Sequence, residues 1–126
     1  MGVTAGQYEE GENILHLWYP SPVDLSDERT LVAFFDEVEA DWIRPCPRKP
    51  YLLVNYKNVR IPPAMTSTYA QRIQHLRPLV LGTFRYGISA DLTGVAVAIG
   101  NLTLQAQANI YPDEASARAA IRAAAR

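Results

Sequence analysis

The chain is poor in the residues that make a function easy to name. It has one cysteine, Cys46, so no internal disulfide can form, and a reduced cytoplasmic setting is the simple expectation. Its two histidines, His16 and His75, stand far apart with no cysteine or second histidine at ligand spacing. A metal centre is therefore not expected, and both rings read as ordinary structural side chains in apolar surroundings. The seven glycines fall into no phosphate-cradling pattern; Gly82 and Gly87 in particular do not fit the known spacings. Neither sign of charge dominates, with 12 basic residues against 13 acidic, which argues against a nucleic-acid footprint or an anionic membrane surface. The longest mostly apolar stretch, Leu92 to Leu104, is too short to span a bilayer and contains Asn101. No basic segment followed by an apolar one opens the chain, so no signal peptide is expected. Asn101-Leu102-Thr103 matches a glycosylation sequon only formally.

What is present is a core. Apolar residues make up 48% of 126, enough for one layered domain spanning 1–126 without staples. The organising stretch is Tyr51 to Leu76. Pro50 sets off the apolar run Tyr51-Leu52-Leu53-Val54, which reads as a strand covered on both faces. Polar residues and Pro62-Pro63 follow, and then Met65, Tyr69, Ile73 and Leu76 recur at helical spacing.

The other segments fall in line around that unit. Gln7–Glu10 and Ile14–Tyr19, joined by Gly11-Glu12-Asn13, predict a hairpin whose acidic first strand is an edge. Asp24 or Ser26 is expected to cap a helix carrying Leu31, Phe34, Phe35, Val38 and Trp42 on its inner face, with a solvated acidic outer face. Val80–Ile88 predicts a strand. Asp91 would cap a third helix burying Leu92, Val95, Ala96, Ile99 and Leu102. Ala108–Tyr111 predicts the last strand. Pro112 and Asp113 open a final helix with Ala117, Ala120, Ile121 and Ala124 inward and Arg118, Arg122 and Arg126 outward. The order β-β-α-β-α-β-α-β-α predicts an α/β fold: a mixed, mostly parallel sheet with an N-terminal hairpin and four helices.

That order resembles the STAS-like superfamily of anti-sigma-factor antagonists and sulfate-transporter tail domains, over nearly the whole chain. The residues that carry the likeness are Tyr51–Tyr56, Thr66-Ser67-Thr68-Tyr69-Ala70, Arg85-Tyr86-Gly87 and Asn109–Ala115. The resemblance implies a stand-alone bacterial, non-enzymatic regulatory domain that binds a protein partner. The group's phosphorylated Asp-Ser-Ser/Thr-Gly turn corresponds here to Ala64–Thr68, which keeps the hydroxyls but lacks the aspartate and glycine. Thr66 is accordingly expected to be a helix cap, and Ser67 not to be a regulated phosphate acceptor.

No acid–base cluster converges in the sequence, so no catalytic residue and no cofactor are assigned. Cys46 lies near Arg44, Arg48 and Lys49, which would lower its pKa somewhat. The candidate binding group is Asn55, Tyr56 and Asn58 leaving the central strand, Thr66 and Ser67 opening the next helix, and Arg85 on the adjoining strand. The alternative is a carrier of a lipid-like ligand, with Trp18, Phe34, Phe35, Trp42, Tyr69 and Phe84 around an apolar cavity above roughly 300 Å³. A small enzyme using Tyr56 or Arg85 is the remote third reading. Two-fold self-association through Gly94, Ala98 and Gly100 is a further expectation.

Overall fold

The computed structural model describes residues 2–88, 97 and 109–126. The expected hairpin forms from β1 (Ala5–Glu9) and β2 (Ile14–Trp18), with Asn13 at φ 57° closing the turn. Asparagine tolerates that left-handed conformation better than most side chains. Beyond it the sheet runs parallel: β2 pairs with β4 (Tyr51–Asn55), β4 with β6 (Gly82–Tyr86), and β6 with β7 (Ile110–Tyr111). The spatial order is β1-β2-β4-β6-β7, so each new strand is laid on the same side of the one before it. This is the predicted α/β architecture with a mixed, mostly parallel sheet.

The period-2 pattern of the strands decides what each sheet face holds. Leu15 and Leu17 of β2 with Leu52 and Val54 of β4 pack against α1 (Glu28–Glu37) and α2 (Thr66–Leu76). Their neighbours Ile14, Leu53, Phe84 and Tyr86 pack against α3 (Glu114–Ala124) on the opposite face. Three α-helices are present among the described residues where four were expected. The remaining expected helix, with Asp91, Gly94, Ala98 and Gly100, lies outside the described residues apart from Val97. That residue is helical and fully buried on the α1/α2 side.

Several local expectations are corrected. Asp27, not Asp24 or Ser26, caps α1, accepting from the Arg29 and Thr30 amides. Asp24 is instead drawn into β3 (Val23–Asp24), which pairs in parallel with β5 (Val59–Arg60) as a separate two-stranded sheet. After Glu37 the first helix continues as a π-helical turn, Val38–Ile43, with the Arg44 amide bonded to the Glu39 carbonyl. The extra residue per turn moves Ile43 into the core. Trp42, expected there, is half-buried and covers Gly6 of β1, where an added Cβ would lie 2.9 Å from its ring.

The acidic face of α1 is also less solvated than expected. Asp36 pairs with Arg72, and Glu39 with both Arg44 and His75, tying the first helix to the second. His75 is thus an exposed ring hydrogen-bonded to Glu39 at 2.8 Å rather than an apolar structural ring. In α3 Ala117 and Ile121 are buried as expected, but Ala124 is exposed. Arg118 does not point outward: it lies half-buried against β1, bonded through both terminal nitrogens to Glu9 at 2.6 and 2.7 Å. Asp113 is the α3 cap, as the sequence predicts.

Candidate functional site

The carboxyl ends of the parallel strands gather most of the polar side chains singled out in the sequence, but not into one constellation. Asn55, at the end of β4, accepts from the Lys57 amide at 2.9 Å and so fixes the turn that follows. Asn58 donates to the Tyr19 carbonyl at 2.6 Å, which anchors β5 beside β3. Thr66 is not the cap. Pro62 and the short 3₁₀ turn Pro63–Met65 precede it, and its hydroxyl donates back to the Pro63 carbonyl at 2.7 Å. A proline at the first helical position has no amide to satisfy, so the start of this helix needs less capping than the sequence suggested. Ser67 is exposed one residue further on.

Tyr56 and Arg85 are brought together, and Tyr69 of α2 joins them. The Tyr56 and Tyr69 hydroxyls lie 3.2 Å apart, and Arg85 Nε donates to the Tyr69 oxygen at 3.1 Å. All three sit inside the α1/α2 face of the sheet; Arg85 is only 2% exposed. Burial pushes the Tyr69 hydroxyl well above the ordinary phenol range, so it stays neutral. Burial also disfavours the Arg85 charge, but the flanking tyrosine oxygens outweigh it and hold the guanidinium protonated. This group is sealed under α2 and knits strand to helix. Its sequence signal was incomplete, because Tyr69 occupies a position that helical spacing assigns to the apolar core.

On the opposite face a second polar chain forms that sequence reasoning did not assemble. His16 Nε2 lies 2.6 Å from the Tyr86 hydroxyl, and that hydroxyl donates to Glu114 at 3.3 Å. Arg118 then donates through Nε to Glu114 at 2.8 Å and through its fork to Glu9. The Arg118 hydrogen bond holds the Glu114 carboxyl below its ordinary range. An ionised carboxylate only accepts, so Tyr86 spends its one proton on Glu114 and His16 must donate from Nε2. Burial, with Glu114 adding to it, pushes the Tyr86 hydroxyl up to about 12. The chain links β1, β2, β6 and α3 through residues up to 109 positions apart. No local pattern could have announced it.

This chain has a measurable consequence. Burial is the largest influence on His16 and depresses its folded pKa below 6.5, despite the nearby Glu114 and Glu9 carboxylates. The unfolded chain therefore binds the proton more readily, and stability present above pH 6.5 is lost as pH falls toward the folded value. Glu9 and Glu114 have depressed pKa values too, so their contribution is present above 4.5 and is lost only at more acid pH. Acid should thus weaken the fold in two stages. The urea midpoint should drop between about pH 7 and pH 5, and His16→Gln should flatten that first drop while leaving the second. An unchanged slope in the variant would remove His16 as its source.

The six aromatic residues of the carrier reading do not surround one space. Phe34, Phe35 and Tyr69 pack on the α1/α2 face, Phe35 and Tyr69 edge to face, whereas Phe84 stacks on Tyr111 on the other. Trp18 lies against His16, and Trp42 over β1. The gap among Leu17, Tyr19, Phe34, Phe35 and Leu52 measures about 20 Å³, roughly the room of one water. Cys46 also departs from expectation. Its thiol donates to the Trp42 carbonyl at 3.3 Å, and partial burial raises its pKa rather than the nearby cations lowering it. Among the described residues no three potential metal ligands cluster, and no helix is long and apolar enough to cross a membrane. No family model matches the chain, and no curated protein is similar to it.

Proposed function

We propose that the chain is a non-enzymatic regulatory domain of STAS-like architecture, working in the cytoplasm by binding a protein partner at the carboxyl edge of its sheet. The observation that carries this reading is how the polar side chains at that edge are used. Asn55, Asn58 and Thr66 each bond a backbone group, holding the β4–α2 connection in one conformation. What that connection presents outward is a shelf of exposed residues, Lys57, Arg60, Ala64 and Ser67. A prearranged surface loses little entropy on docking, which suits recognition of another protein better than chemistry on a small substrate.

The element order is in keeping with the same reading, since a hairpin followed by alternating helices and strands is the order on which the resemblance rests. In this reading Ser67 is a contact residue, not a phosphorylation switch, and a second copy of the chain is one partner the test would recognise. A photo-crosslinking amino acid placed at position 67 should capture one protein in stoichiometric yield from the native cells. The same probe at Ala123, exposed on α3, should not. Equal capture at both positions, or none at position 67, would overturn the proposal.

A further inference from the structure

The amino edge of the sheet, remote from the docking shelf, carries a different feature. Here the chain leaves the π-helical turn through Arg44-Pro45-Cys46-Pro47-Arg48-Lys49-Pro50 and enters β4. Ile43, Arg44, Cys46, Arg48, Lys49 and Leu79 line an open depression of about 260 Å³. Its apolar lining comes from Ile43, Cys46 and Leu79, and its cationic part from Arg44, Arg48 and Lys49 of the loop.

Two of those cations, Arg48 and Lys49, are positioned without being neutralised. Arg44 is paired with Glu39, donating to the same carboxylate oxygen through Nε at 2.8 Å and through Nη2. Arg48 is steadied by a neutral group, donating through Nη2 to the Glu10 carbonyl at 3.2 Å. Lys49 is held at its backbone, whose carbonyl accepts from Asn13 at 2.7 Å, and its ammonium has no carboxylate partner among the described residues. The contrast is with Arg44, Arg118 and Arg122, each spent on carboxylates. Three prolines fix the loop's φ angles, so little backbone freedom remains to be lost when something binds.

We propose that this depression binds a small organic anion: one acidic headgroup, carboxylate or phosphate monoester, on an apolar body of a few carbons. Arg48 and Lys49 take the headgroup, Arg supplying the forked geometry and Lys a point charge. Ile43 and Leu79 cover the apolar body. The volume lies just below the range of drug-sized pockets, about 300–1,000 Å³, so the ligand is small rather than lipid-like.

Amide chemical-shift titration of the full chain tests this with phenyl phosphate, benzoate, inorganic phosphate and phenol. Phenyl phosphate or benzoate should give saturable shifts confined to residues 43–49 and Leu79, with a Kd of about a millimolar or below. Whichever binds tighter identifies the preferred headgroup, and either result supports the site. Inorganic phosphate and phenol, each lacking one half of the ligand, should bind about tenfold more weakly or not at all. The double variant Arg48→Gln, Lys49→Gln, altered only at exposed positions, should keep its fold and lose about tenfold or more in affinity. The proposal is overturned if neither organic anion saturates, if inorganic phosphate matches them, or if the double variant binds as well as the parent.

Discussion

Arg85→Ala should destabilise the protein by about 3–5 kcal/mol, the largest effect expected of any single truncation outside the purely apolar core. Arg85 projects from β6 into the α1/α2 face, beside Val54 in the register, and is 2% exposed. Alanine empties most of that volume, and an interior packed to crystal density closes such a gap only in part. It also takes away the donor that faces the Tyr69 oxygen. Against these losses stands one gain, relief of the cost of burying a charge. Arg85→Met separates the two sides, because it keeps much of the volume while removing both the charge and the donor. We expect methionine to cost about 1–2 kcal/mol, clearly less than alanine. Guanidinium unfolding curves with a common slope would read both values. An alanine variant within about 1 kcal/mol of the parent would show that the space collapses and that Tyr69 finds another partner.

The Arg85 group also shows how much of this molecule its sequence discloses. Strands were legible where short β-branched or aromatic runs lay between breakers: Tyr51–Asn55 after Pro50, and Ile14–Trp18 after the Gly-Glu-Asn turn. The final helix was legible from Pro112 and Asp113, because capping is a local matter of one side chain and one nearby amide. Elements too short to have a period were not. Val23–Asp24 and Val59–Arg60 pair only because the chain brings them together, and neither would hold as a strand alone. The π-helical turn was hidden for a related reason. Spacings of four, three and four at Leu31, Phe35, Val38 and Trp42 look regular until a single added residue buries Ile43 and leaves Trp42 half-buried at the rim of the core.

The candidate site was legible in part. Tyr56 and Arg85 leave adjacent strands of one parallel sheet, so a topology argument alone places them near one another, and the structure joins them through Tyr69. Asn55, Asn58 and Thr66 were picked out as polar groups near a sheet edge, which they are. Their choice of backbone partners depended on turn geometry that composition does not carry. The chain from His16 through Tyr86 and Glu114 to Arg118 was beyond reach. With Glu9 at its end it joins four elements on the face opposite the expected site, and each residue taken alone had a satisfactory local explanation. Arg118 reads as a favourable charge toward the end of a helix until β1 offers it Glu9.

The second large effect is expected at Gly87, where the backbone of β6 turns away at φ +74°. Holding a residue with a side chain in that region costs about 1–2 kcal/mol relative to glycine. A Cβ there would also lie 2.4 Å from Asn55 Oδ1 and 3.3 Å from the Lys57 backbone nitrogen. Something must move, and the Lys57 nitrogen is the less free of the two, being backbone. Asn55 would be pushed off the Lys57 amide that it now accepts from at 2.9 Å, losing about a further 1 kcal/mol. Gly87→Ala should therefore cost about 2–3 kcal/mol. The effect should reach function as well, because the displaced turn carries Lys57 and leads into Arg60, two residues of the proposed docking shelf. Crosslinking from position 67 should fall in this variant even under conditions where it is fully folded. Gly11→Ala is the control, since a Cβ at that turn meets nothing within 4 Å and should change stability by less than about 0.5 kcal/mol. If the two alanine variants unfold at the same denaturant concentration, Gly87 is not under the constraint described, and Asn55 does not depend on it to hold the β4–β5 turn.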